Sequence, residues 1–291
     1  MHETHRAPAD PSAWFPSPWG DGDELGMLNH VTPATRLRAL SLVREGRLYD
    51  LGRVLDEHVP VFPGRSFHQT LVTTAHHANH GSVGDNDVNW ITEVFASTTQ
   101  LGTHLDALSH LQAGPYAYNG RRVEELASPA GVTALGVETV PQIVTRGWLV
   151  DVSERDLGPG GVITVDDVAG IDPEPGDAVL FHTGWGDRWD DPEAYLSGEP
   201  GPGLELAEWL AGRGVALTGC DTWSYGPVPA EDPARNFEVP QVLNVRHGVF
   251  VVENLDTSGL ALDGVRDFAL VLTHPKLRGA TGAWTSPIAL T

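Results

Sequence analysis

Five short apolar runs constrain the fold of this chain more than any other feature of its sequence. "WLVDV" (148–152), "GDAVLFHTG" (176–184), "VALTGCD" (215–221), "GVFVVENL" (248–255) and "FALVLTHP" (268–275) read as buried strands, each bounded by turn-forming or polar residues. Between them, "GLELAEWLAGRG" (203–214) reads as a helix with Leu206, Trp209 and Leu210 on one face, closed by Gly212 or Gly214, and "TVDDVAG" as a shorter one. Strands mixed with a few helices, without strict βαβ alternation, indicate an α/β or α+β domain built on a mixed sheet or barrel with flanking helices.

The first half is less regular. Residues 1–31, rich in Pro, Gly and Trp, read as an irregular arm, and residues 32–291 as a single domain. In "TPATRLRALSLVREG", Thr32 is the expected N-cap and Pro33 the first helical residue; Leu37, Leu40 and Val43 form one apolar face, and Gly46 ends the helix. "RLYDLGRVL" and "VPVFPG" read as short strands. The His-rich stretch 74–89, with His76, His77 and His80, reads as a solvated loop.

Composition removes several functions. The net charge is −21, from 39 acidic and 18 basic residues, so nucleic acid and anionic membrane surfaces are poor partners. Cys220 is the only cysteine, which excludes an intramolecular disulfide or a CxxC metal site. The start of the chain has no apolar signal region and no run is long enough to span a bilayer, so a cytoplasmic location is expected. Neither a P-loop nor a GxGxxG fingerprint occurs. "TWSYG" (222–226) is one glycine short of a nucleophile elbow, which leaves Ser224 an ordinary loop serine, and "GDGDELG" (20–26) lacks the later ligands of a calcium loop and reads as a turn.

The chemistry concentrates in "TTQLGTHLDALSHL" (98–111). As an extended segment, it places Gln100, Gly102, His104, Asp106 and His110 on one face and Leu101, Thr103, Leu105, Ala107 and Leu111 on the other. Such a polar face can simply meet solvent or hydrogen-bond within the fold. An imidazole and a carboxylate two residues apart can also share one ion, with the Gln100 amide oxygen in a third place and Gly102 leaving space or allowing a bend. The HxDxxxH spacing, the glycine and the apolar reverse face favour the metal site.

At these residues the sequence resembles a known family. "QLGTHLDALSH" is similar to the HxGTHxDxPxH motif of the cyclase family that includes bacterial kynurenine formamidases and isatin hydrolases. "SPWGDGDELGMLNHVTP", "VPVFPG", "GDAVLFHTGW", "RGVALTGCD", "HGVFVVENL" and "LRGATGAWTSPIAL" extend the resemblance along nearly the whole chain. It implies a swivelling β/β/α fold, a homodimer or homotetramer, and a metal-dependent hydrolase. By position it makes His104 and Asp106 metal ligands, His110 the acid/base histidine and Glu253 the acidic partner near the metal.

Two positions depart from the family pattern. Gln100 stands where a histidine is usual, and Pro240 and Gln241 stand where a late histidine is expected. An amide oxygen is harder than imidazole, which favours Mn²⁺ or Mg²⁺ over Zn²⁺, and the second loss limits the site to one divalent ion at most. The expected reaction is hydrolysis of a C–N bond in an amide, formamide or lactam, or of a lactone, by a metal-activated water, with His110 and Glu253 moving protons. The nine tryptophans suit an aromatic small-molecule substrate, with Trp19, Trp90, Trp185 and Trp223 near candidate site segments. A polyketide-type cyclase or dehydratase is the alternative, and a non-catalytic small-molecule binding protein the third reading. His182, His247 and His274 read as structural.

Overall fold

The computed structural model describes residues 10–72, 85–86 and 90–291. His76, His77 and His80 lie outside the described residues. The apolar runs do form strands, Ile143–Asp151, Ala178–His182, Leu217–Cys220, Phe250–Glu253 and Asp267–Leu272. The first four pair parallel in that spatial order and make the middle of a nine-stranded mixed sheet. Antiparallel strands complete it. Asp267–Leu272, Ile288–Leu290 and Leu48–Asp50 extend one side, and His104–Asp106 followed by Gly282–Trp284 extend the other.

Both faces of the central strands are covered, which is why their sequences are continuous apolar runs without polar alternation. Val150, Val179, Phe181 and Val251 face one core, where Leu206 and Leu210 of the Leu204–Gly212 helix pack. Leu149, Leu180, Leu217, Phe250 and Val252 face a second core shared with Leu105, Phe268 and Leu270. The helix ends through Gly214, which is left-handed at φ +72° and donates its N–H to the Ala211 carbonyl.

Several local expectations change. Thr32 does cap a helix, Pro33–Leu40, in a reciprocal capping box with Thr35, but the helix stops at Leu40 rather than at Gly46. Leu37 and Leu40 are 69% and 47% exposed, and Ala39 is the buried residue, because the short helix lies on the periphery with its small side inward. "VPVFPG" forms no strand; Pro60 and Pro63 withhold the N–H groups a ladder needs. The arm carries two 3₁₀ turns, Pro11–Trp14 and Gly26–His30, and is tied into the core by Leu28 and Val31. "GDGDELG" is a turn built on Asp23, whose carboxylate accepts from Ser17, Leu25, Gly26, Asn29 and Tyr118. Among the described residues no helix is long and apolar enough to cross a membrane.

Candidate metal centre and its pocket

Strand register brings the chemical residues together. His104 lies opposite Glu253 and Asp106 opposite Val251 across an antiparallel pair, so His104, Asp106 and Glu253 share one face while Leu105 and Val252 share the other. Leu105 is fully buried and anchors the strand. Parity applies only over His104–Asp106; residues 99–103 bend and 108–109 turn, so His110 reaches the site from a turn instead of from the strand.

Of the two roles that the sequence offers Gly102, space or a bend, the structure shows the bend. Its φ is +56°, and a Cβ there would stand 2.1 Å from Leu55 Cδ2, so both dihedral and space require glycine. Its carbonyl accepts from His104 Nδ1 at 2.8 Å. That bond leaves Nε2 as the nitrogen that faces the carboxylates, 3.2 Å from Glu253 Oε2 and 3.5 Å from Asp106 Oδ1.

The donor atoms of His104, Asp106 and Glu253 all lie within 4.8 Å of one another, and all three residues are buried. Burial pushes the His104 imidazole down, favouring the neutral ring. It pushes Asp106 up, with Glu253 adding to the effect, and raises Glu253 to about 7. Neither His104 Nε2 nor Asp106 Oδ1 has a hydrogen-bond partner. A neutral imidazole nitrogen turned toward two carboxylates, with unpaired and buried acceptors, is an arrangement that a divalent cation satisfies. The residues fit a metal ion.

Gln100 borders this set. Its Oε1 accepts from Thr99 Oγ1 and its Nε2 donates to Thr281 Oγ1, both at 2.9 Å. A Cβ at Gly282 would collide with Nε2 at 2.8 Å and sit 3.6 Å from Asp106 Oδ1, so the missing side chain of Gly282 makes room for the glutamine. Gln241 donates to the Gln112 carbonyl, and Pro240 forms part of a cavity wall.

That cavity, about 140 Å³, is lined by Asp106, His110 and Glu253 together with Arg65, Ser224 and an apolar set that includes Phe62, Trp223 and Phe237. His110 is partly exposed there, its Nε2 3.9 Å from Asp106 Oδ1. Of the four tryptophans singled out in the sequence, Trp223 lines the cavity. Trp185 is buried and donates its indole N–H to the Tyr195 carbonyl, Trp19 packs edge-on against His30, and Trp90 is 43% exposed.

No local motif marks Arg65 or Phe237 in the sequence, and Phe62 lies within "VPVFPG", which reads as a strand. Ser224 sits in the cavity wall, but its Oγ pairs with the carboxyl of buried Glu199 and not with a histidine, so nothing makes it a nucleophile. His182 pairs with Asp221 and Thr257, and His247 with Glu208.

Comparison with known proteins finds similarity along most of the chain. A kynurenine formamidase of Geobacillus thermodenitrificans (strain NG80-2) is 28% identical over 238 residues, covering 80% of this chain and 92% of that protein. A solved structure described as a novel cyclase superposes with a TM-score of 0.83 at 27% identity, over 94% of this chain and 98% of the other. Isatin hydrolase A of Ralstonia solanacearum shares the fold, with a TM-score of 0.62 at 22% identity over 84% and 91% of the two chains. Residues 49–227 match the family described as "Putative cyclase", and the chain belongs to that family.

Proposed function

We propose that this protein is a metal-dependent hydrolase that cleaves a C–N bond in a small aromatic amide, formamide or lactam. The observation that carries the reading is the buried set of His104, Asp106 and Glu253, with the Nε2 and Oδ1 atoms unpaired. We assign these three as the ligands. Glu253 takes the place expected of Gln100, whose amide oxygen already accepts from Thr99 and is assigned a supporting position beside the ion. Two carboxylates with a single imidazole form a hard donor set, which favours Mn²⁺ over Zn²⁺.

When bound, the ion supplies Lewis acidity, lowering the pKa of a water and polarising a substrate carbonyl. The chain supplies the rest. Gly102 fixes the tautomer of His104 through its carbonyl, so Nε2 is held ready as an acceptor. His110, at the edge of the cavity, takes a proton from the attacking water and returns it to the leaving nitrogen. Phe62, Trp223 and Phe237 pack at 5.5 to 6.3 Å from one another and present ring faces to an aromatic substrate. Family resemblance adds a homo-oligomer to the proposal.

Elemental analysis of the purified protein tests it, combined with hydrolysis assays on N-formylkynurenine and isatin. Wild type is expected to retain a stoichiometric divalent ion, and His104→Ala to lose both the ion and turnover while keeping its fold. A folded wild-type protein that takes up no Mn²⁺ or Zn²⁺ sinks the reading.

A further inference from the structure

Resting on that reading of the metal centre, we propose that Arg65 is a substrate-recognition residue and that the substrate is an aromatic amide bearing a carboxylate beside the ring. The cavity walls are aromatic, and Arg65 is the only cationic side chain that lines it apart from what His110 can carry. Its guanidinium lies over the Phe62 ring at 5.5 Å, and Nη1 donates to the Gln100 carbonyl. The Nε–Nη2 edge makes no hydrogen bond among the described residues. That edge is the planar two-donor fork that fits a carboxylate.

Arg65 is one of the described arginines without a carboxylate partner, as are Arg121 and Arg188. Arg38, Arg146 and Arg246 each bond directly to a carboxylate, as an excess of acidic residues leads one to expect. No carboxylate of a described residue lies within 4 Å of Arg65. Its charge is nevertheless felt at Asp106 and Glu253, where it favours the ionised carboxylates.

Once both carboxylates serve a divalent ion, they no longer offset the guanidinium. A partly exposed cation beside aromatic walls is then open to an anionic group of the substrate, and the cavity itself supplies none. A structural tether to Gln100 needs one N–H and no charge, so it leaves the free fork unexplained.

The test is equilibrium binding of 2-acetamidobenzoate and its methyl ester, which differ chiefly in charge, followed by quenching of tryptophan fluorescence. Both chelator-treated and Mn²⁺-reloaded protein are used, so that carboxylate binding to the ion is separated from binding to Arg65. Wild type is expected to prefer the acid in both states, more strongly when reloaded with Mn²⁺ because Asp106 and Glu253 then no longer offset the guanidinium, and Arg65→Gln to reduce the acid-to-ester ratio about tenfold in the reloaded state while ester binding stays unchanged. Arg65→Lys, which keeps the charge without the fork, should retain part of the preference, and it serves if the glutamine variant does not fold. Equal binding of acid and ester to wild type, binding of neither, or an Arg65→Gln variant with the full preference each overturn the proposal. The metal-hydrolase reading fails separately: a protein that holds no ion can still show an Arg65-dependent preference in chelator.

Discussion

At the scale of single residues, Gly102 decides whether His104 can face Asp106 and Glu253. It carries a left-handed φ of +56° and leaves no room for a methyl group against Leu55, while its carbonyl orients the imidazole. Gly102→Ala therefore combines dihedral strain with a collision next to His104, the proposed ligand. We expect a loss of roughly 1–3 kcal/mol of stability from the dihedral alone, with weaker ion binding beyond it. Adding Leu55→Ala removes the collision and not the strain, so the double variant should recover only part of the loss. Thermal unfolding and an ion titration on both variants check this, and an alanine variant matching wild type in both would remove the role given to Gly102. The sequence made this residue noticeable but not its reason, because the contact with Leu55 spans 47 positions and leaves no local trace.

At the scale of elements, the ends of the parallel strands are held by a buried ion pair. Asp221, just after Leu217–Cys220, accepts N–H groups from Thr183 and Gly184 and the Thr183 hydroxyl, and His182 at the end of Ala178–His182 lies 3.3 Å away. Burial opposes both charges. It acts to lower His182 and to raise Asp221, but the pairing outweighs it, so His182 ends above its usual 6.5 and Asp221 below its usual 3.8. The contribution of His182 is fully present below pH 6.5 and is lost as pH rises through its folded value; that of Asp221 is present above pH 3.8 and is lost as pH falls through its own. Thermal midpoints measured across pH should thus fall on both flanks. His182→Gln should flatten the alkaline flank and also weaken the acid one, since His182 is the largest influence that lowers Asp221, whereas Asp221→Ala should cost roughly 3–5 kcal/mol near neutrality. An unchanged alkaline flank in His182→Gln would assign the fall to another group. Elements like these strands were legible because burial on both faces writes itself as an apolar run. His104 and Asp106 were legible by parity, whereas Glu253 came only by resemblance, since the register that sets it opposite His104 joins segments about 150 residues apart. The face expected of Leu37 and Leu40 failed for a related reason: an amphipathic pattern does not say whether a core lies beneath it.

At the scale of the whole molecule, the charge of −21 opposes the substrate that Arg65 selects. An aromatic carboxylate approaches through a field of its own sign and meets a favourable charge only at the cavity. Salt screens the first effect far more than the second, because the Debye length shrinks from about 30 Å at 0.01 M to about 8 Å at 0.15 M, while contact between a guanidinium and a carboxylate is shorter than either. For a carboxylate-bearing amide, kcat/KM should therefore rise severalfold over that range, and for its methyl ester it should stay level. Arg65→Gln should lower the values for the acid at every salt concentration and leave their slope unchanged, since the slope belongs to the surface and the level to the cavity. Stopped-flow or steady-state rates on the acid and ester, with wild type and variant, separate the two contributions. A rate for the acid that falls with salt would mean that the local charge at Arg65, and not the acidic surface, governs approach.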